Sequence, residues 1–362
     1  MDTRTHRVIS PGRVNLIGDH TDYTGGYVLP VATDLHTQLA ASPADEVTVY
    51  SEATDDRRSF AVDDEQPSGD WTDYVKGCYA VLREEGYAPG GFDGDLSGTL
   101  PLGSGLSSSA SLELAVVAFL NDAYSLGLSR ERMARLSQRV ENDFVGVSCG
   151  IMDQFAVALG QSGHALHLDT GSLEYDPIPI PDDVRLVVYH TGVERGLVDT
   201  AYNERRETVE GALDALGAEA STQLSEADIE DAGSLSELQR QRLGYVVREN
   251  ERVLRVGEAL SGGDLGTVGS LLTAAHADIA ANYDASCREL DFVVDQAVER
   301  GAYGARLTGA GWGGAAVALV DAADAEAFAR SLHERYCEQF PDHESRYHLV
   351  TPSDGVRVER RS

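Results

Sequence analysis

Three of the chain's eleven prolines fall within five residues, in the run Glu174-Tyr-Asp-Pro-Ile-Pro-Ile-Pro-Asp-Asp183. Each proline ring fixes φ, removes a backbone donor and restricts the residue before it, so prolines at alternate positions force an extended strip that no helix crosses. A chain of 362 residues exceeds one comfortable core. The strip therefore marks the expected domain junction, with an N-terminal domain over residues 1–177 and a C-terminal domain over 178–362. Before it, strand-like runs at 46–50 and 164–168 alternate with helical patterns near 72–86, 108–125 and 130–144. After it comes an apolar strand at 184–190, then helical patterns near 201–217, 235–260, 264–281 and 287–300, a strand at 314–320 and a helix over 323–337. An acidic stretch, 218–233, reads as an exposed connection with room for a short helix. Both halves mix helix and strand, which predicts an α/β (α+β) architecture.

Charge narrows the class of partner. The 29 basic and 60 acidic residues leave a formal net charge of −31, spread along the chain. Such a field repels nucleic acid and anionic lipid, so neither is an expected partner. The basic set is 28 Arg and one Lys. Dispersed carboxylates with almost no lysine predict a halophilic protein, since screening over roughly 3 Å in molar salt removes the self-repulsion. No uncharged stretch is long and apolar enough to cross a bilayer, and the N-terminus shows no secretory pattern, so the expectation is a cytoplasmic enzyme, a monomer or weak homodimer.

The single lysine also excludes chemistry. Lys76, in Asp73-Tyr-Val-Lys-Gly-Cys78, fits neither a P-loop nor a protein-kinase strand, and nothing around it supports a Schiff base. Cys78, Cys149, Cys287 and Cys337 are widely spaced, which indicates neither a zinc cluster nor a disulfide framework.

Three segments concentrate glycine and small polar residues. The first, residues 11–26, packs Arg13, Asn15, Asp19, His20, Asp22 and Tyr23 among glycines, a set able to recognise several hydroxyls at once. The second, Pro101-Leu-Gly-Ser-Gly-Leu-Ser-Ser-Ser-Ala-Ser111, runs into a helix whose apolar face begins at Leu112. A glycine loop, serine donors and a helix N-terminus in that order form an anion site, where one serine would suffice as a cap. Gly103, Ser104, Gly105, Leu106, Ser107, Ser108, Ser109 and Ala110 are thus expected to bind a nucleotide's phosphates. The third, Thr308-Gly-Ala-Gly-Trp-Gly-Gly-Ala315, satisfies G-x-G-x-x-G but leads into a strand and not a helix, which excludes a dinucleotide loop. It reads as a turn whose backbone crowds a nucleotide or the second segment, or as a plain strand-to-strand turn.

Phosphoryl transfer to a hydroxyl needs positioning, cations on the phosphates and a carboxylate near the attacking oxygen. Asp153, an acid among apolar neighbours, is either an N-cap or a working carboxylate. Glu141 lies on a helical run; if it faces Ser109, the two supply hard oxygen ligands for Mg²⁺.

Taken together, the motifs at 12–23, 101–111, 149–155 and 308–314, with Trp71–Gly77 and Tyr202–Arg206, resemble the galactokinase family of the GHMP small-molecule kinases from about residue 5 to 350. The resemblance implies a two-lobed fold, an N-terminal ribosomal-protein-like βα domain and a C-terminal ferredoxin-like α+β domain, with the active site in the cleft between. It implies transfer of the γ-phosphate of ATP to an anomeric hydroxyl, with ATP and Mg²⁺ as cofactors. Carried over by position, Asp153 is the catalytic carboxylate and Arg13 its cation; Asp19, His20, Asp22, Gly150 and Tyr202 hold the sugar; and Ser109 and Glu141 hold Mg²⁺.

One position departs from the family motif, which has Glu where this chain has Asp19. The carboxylate is shorter by roughly 1.5 Å. The resemblance therefore leaves galactose as the first expectation and ribose 1-phosphate, giving ribose 1,5-bisphosphate, as the alternative acceptor. The latter needs an added cation, for which Arg195, Arg205, Arg206 and His36 are the candidates. Non-catalytic sugar sensors share the fold, but some lack the Ser-Ala pair that this chain retains as Ser109-Ala110.

Overall fold

The structure, a computed structural model, describes residues 4–101, 103–193 and 198–361. The chain forms two discontinuous compact units, one of Met1–Arg13, Ala32–Ser162 and Ser353–Ser362, the other of Val14–Val31 and Gly163–Pro352. The proline-rich strip lies wholly within the second. Its Tyr175–Pro179 portion is the edge strand of a three-stranded sheet, paired with His164–Asp169, a position in a sheet that tolerates proline.

In the first unit a six-stranded sheet runs in the order Arg357–Arg360, His6–Asn15, Pro30–Ala44, Gly91–Gly98, Val47–Ser51, Asp56–Phe60. The C-terminal strand returns to pair antiparallel with the first, His6 opposite Arg360. The helix Ser108–Ala123 is apolar nearly all round, with Leu114 to Leu120 at most 3% exposed, and is therefore the buried centre of this unit's helices. It packs against Thr72–Glu84, Arg130–Arg139 and Met152–Leu159. Gly12, within the strand His6–Asn15, admits the serine-rich loop's backbone: a Cβ there would meet Leu100 Cδ1 at 2.5 Å and the Leu106 carbonyl oxygen at 2.8 Å. That carbonyl accepts the Arg13 N–H at 3.0 Å.

The second unit holds a four-stranded antiparallel sheet, Gly304–Thr308, Ala315–Asp321, Val184–His190, Arg346–Val350. Its core gathers Tyr189, Tyr245, Tyr283 and Tyr336 with aliphatic side chains from the helices Glu237–Ser261, Arg288–Glu299 and Ala325–Gln339. The helix Glu237–Ser261 opens on a capping box of Ser236 and Gln239.

Two helical patterns change type near their ends. Arg130–Arg139 continues as a π-helix over Val140–Val145, and Leu265–Asp278 as one over Ile279–Tyr283. The wider turn re-aims the side chains it carries, which include Glu141 and Tyr283. Among the described residues no helix is long and apolar enough to cross a membrane, and no disulfide joins the cysteines. The lone Lys76 is buried, donating to the Gln66 carbonyl and paired with Asp64, both at 2.9 Å, a structural role.

Candidate active site

The serine-rich loop, Arg13 and Asp153 lie in the first unit. Arg13 clamps Asp153 by two parallel bonds, Nε to Oδ1 and Nη2 to Oδ2, each 2.7 Å, and its Nη1 donates to the Gly105 carbonyl at 2.7 Å. Bidentate charge-assisted pairing of this kind fixes orientation as well as charge. Arg13 sits on a buried strand and Asp153 in the first turn of Met152–Leu159, so both are held by regular elements. The Ser107 hydroxyl also donates to Asp153 Oδ2.

Around this pair the serine loop divides its labour. Ser104 closes the turn on the Pro101 carbonyl at 2.8 Å and Leu106 is buried, so these two shape the loop and present no side-chain donor to a phosphate. Gly103 and Gly105 take φ of +67° and +76°. Ser108 starts the helix and Ala110 is fully buried behind it. Ser109 donates to Glu141, as their joint candidacy requires, and burial pushes the Glu141 carboxyl up to about 7. Gln154 Nε2 reaches Glu141 Oε1 at 3.4 Å. Gly150 is buried just ahead of the Asp153 helix.

From Val14 onward the first glycine-rich segment lies in the second unit and is tied down from three sides. Asp19 Oδ1 accepts the Gly309 N–H at 2.8 Å, Oδ2 lies 2.9 Å from Arg306 Nη2, and the Asp19 carbonyl accepts from Tyr245 at 2.9 Å. Arg306, wholly buried, also pairs with Glu249, whose Oε1 accepts the Gly18 N–H at 3.1 Å and whose Oε2 meets Arg252 at 3.0 Å. Burial pushes the Asp19 carboxyl up, and Arg306 opposes that shift.

His20 has its tautomer fixed by its partners. Nε2 lies 2.9 Å from the Ala310 carbonyl, which only accepts, so Nε2 carries the proton. Nδ1 then accepts from Tyr23 at 3.0 Å, and Tyr23 accepts from Tyr283 at 2.5 Å. Burial holds the imidazole down to about 4, keeping it neutral. With both nitrogens engaged by Tyr23 and Ala310, His20 braces the loop. Asp22 and Tyr202 are half-buried, and the Tyr202 ring lies 5.4 Å from His20.

The glycine run 308–315 is a turn between antiparallel strands, Thr308 opposite Ala315, as excluding a dinucleotide loop requires. Its described contacts with the first segment run through Thr308 and Asn15, Gly309 and Asp19, and Ala310 and His20. The acidic stretch is more than an exposed connection: Ser221 is fully buried, its N–H on the Thr24 carbonyl at 2.8 Å. Of the proposed extra cations, Arg205 pairs with Asp284 at 2.8 Å, Arg206 with Glu210 at 2.7 Å, and His36 donates to the Asp34 carbonyl at 3.0 Å. Arg195 lies outside the described residues.

Residues 2–43 match the galactokinase galactose-binding signature, 73–161 the GHMP kinases N terminal domain and 257–338 the GHMP kinases C terminal model. The chain is 52% identical to the galactokinase of Thermococcus kodakarensis, across 97% of this chain and 99% of that protein. The chain belongs to the galactokinase family of GHMP kinases. It is 49% identical to the Pyrococcus furiosus galactokinase over the same shares of each chain. The crystal structure of Lactococcus lactis galactokinase complexed with galactose superposes with a TM-score of 0.93 at 34% identity, covering 98% of this chain and 95% of that one.

Several residues in this galactokinase-family site escape a reading of the sequence. Arg306 shows one signal, a charge inside the apolar run Gly304–Thr308. Glu249 looks like any solvated helix acid. Glu113, wholly buried on the Ser108–Ala123 helix, has neither carboxyl oxygen hydrogen-bonded among the described residues, and burial pushes its pKa well up.

Proposed function

We propose that this galactokinase-family chain transfers the γ-phosphate of ATP to the anomeric hydroxyl of galactose, giving galactose 1-phosphate and ADP. The observation that carries this reading is the Arg13–Asp153 clamp beside the serine-rich N-terminus of the Ser108–Ala123 helix. Asp153 takes up the hydroxyl proton as the sugar oxygen bonds to the γ-phosphorus and the bond from that phosphorus to the bridging oxygen of ADP breaks. Arg13 holds the carboxylate in place and balances the charge that develops on the attacking oxygen. The helix N-terminus, with Ser108 and Ser109, receives phosphate oxygens.

Ser109 and Glu141 fit Mg²⁺, because a phosphate-bound Mg²⁺ takes one or two carboxylates and hydroxyls and leaves its other positions to phosphate and water. When bound, Mg²⁺ neutralises charge on the transferring phosphates. Asp22, Gly150 and Tyr202 contact the sugar, while Asp19 and His20 hold the loop that carries Asp22. Arg13, Asp153 and the Ser109-Ala110 pair together favour turnover over a sensing role. Ribose 1-phosphate is disfavoured as acceptor, since Arg205 and Arg206 are already paired with carboxylates. The net charge of −31 with one lysine supports a halophilic protein.

Phosphorus NMR of a mixture of galactose, ATP, Mg²⁺ and enzyme in molar KCl tests the proposal. A galactose 1-phosphate resonance growing with ADP supports it. ADP formation without a sugar phosphate, or phosphate on another hydroxyl, refutes it.

A further inference from the structure

Ser107 occupies the N-cap position of the Ser108–Ala123 helix yet does not cap it. Its side chain accepts nothing from the first turn, and its backbone sits at φ +56°, ψ +54°, a region that a serine adopts only under strain. The hydroxyl instead donates to Asp153 Oδ2. A residue in an unfavourable conformation that also forgoes its natural capping bond points to a function for the bond it does make.

The acceptor arithmetic at Asp153 says what that function is. A carboxylate offers about four acceptor directions, two on each oxygen. Arg13 Nη2 and Ser107 both fall on Oδ2 and Arg13 Nε on Oδ1, so among the described residues Oδ2 is filled and Oδ1 keeps one direction open. We infer that Ser107 is a positioning residue that, with Arg13, locks the Asp153 carboxylate so that Oδ1 is the oxygen presented to the acceptor hydroxyl. This inference rests on the reading of Asp153 as the catalytic carboxylate. It assigns the Ser107 hydroxyl to the catalytic carboxylate and not to a nucleotide phosphate, and it gives the strained backbone a purpose. The Arg13–Gly105 bond acts in the same sense, because it pins the loop two residues before Ser107.

Two variants separate this role from a structural one. Ser107→Gly removes the hydroxyl and relieves the positive φ; Ser107→Ala removes the hydroxyl and keeps the strain. With galactose and MgATP in molar KCl, kcat is expected to fall roughly tenfold in both, with each KM within about twofold of wild type. Melting temperature should split the pair, Ser107→Gly at or above wild type and Ser107→Ala below it. Wild-type kcat in Ser107→Gly, or activity that tracks melting temperature, overturns the inference. A loss confined to KM for ATP also overturns it, because Ser107 would then be a phosphate ligand. Asp153→Asn, run alongside with nucleotide affinity measured, separates the two claims. If it is inactive while Ser107→Gly is fully active, only the Ser107 inference fails; if it turns over normally, the reading of Asp153 fails and the inference with it.

Discussion

Replacing Arg306 with Met removes the one cation shared by Asp19 and Glu249, and the structure sets the size of the loss. Arg306 and Glu249 are 0% exposed and Asp19 is 2% exposed, so no solvent takes over the vacated role. At the 2.9 Å separation from Asp19, one unit-charge pair attracts by about 6 kcal/mol at an effective dielectric constant of about 20. Desolvation of the three groups cancels most of that in the intact protein. Breaking the set by deleting one member forfeits the attraction and leaves the desolvation cost, for a net destabilisation of about 3–5 kcal/mol. Denaturant unfolding of Arg306→Met in molar KCl should show a loss of that size. Asp19→Asn combined with Arg306→Met should be non-additive by about 1–3 kcal/mol. The sign with pH follows from Asp19, which burial pushes up and Arg306 opposes: without Arg306 its carboxyl is raised further, the folded state binds more protons than the unfolded, and the deficit narrows as pH falls. A cost below about 1 kcal/mol, or strict additivity, would show that the network is not the dry brace described.

The glycine turn makes a paired prediction: Gly311→Ala, where a Cβ would lie 2.0 Å from the Ala285 carbonyl oxygen at φ +92°, costs at least about 3 kcal/mol. Gly309→Ala, at φ +84° with open space beside it, costs only about 1–2 kcal/mol; equal melting temperatures would contradict the packing. His20 titrates at about 4 when folded and near its ordinary 6.5 when unfolded, so the unfolded chain binds the proton first as pH falls. Stability that is full above 6.5 therefore declines towards pH 4 by about 3 kcal/mol at this site, and His20→Gln should flatten that slope. From dilute buffer to molar KCl the melting temperature should rise by at least about 5 °C as carboxylate repulsion is screened; an unchanged value refutes the halophilic reading.

Local periodicity carried much of the fold. The helices at 72–84 and 288–299 lie where their apolar spacing puts them, because one face of each meets a core, and the helix at 108–123 lies where its near-continuous apolar run puts it, because it is buried nearly all round. Glu141 and Ser109, joined in the sequence only by a supposed common ligand chemistry, are hydrogen-bonded. What escaped depends on contacts between distant residues. The strand His6–Asn15 is buried along most of its length, so it lacks the alternation that marks a half-exposed strand, and Pro11 and Gly12 disguise it as a turn. The return of Arg357–Arg360 to its edge makes the first unit discontinuous, which no local pattern encodes. The π-helical turns follow helical sequence seamlessly. Ser107 passes for a helix cap until its hydroxyl is seen on Asp153.

The most direct test of the account compares kcat/KM for galactose and for ribose 1-phosphate in one preparation, with MgATP in molar KCl. The account predicts turnover of galactose at least about a hundredfold more efficient, a difference of about 2.7 kcal/mol in transition-state binding. Efficient phosphorylation of ribose 1-phosphate with little of galactose would contradict it and would mean that a family scaffold with an intact Arg13–Asp153 clamp serves another acceptor.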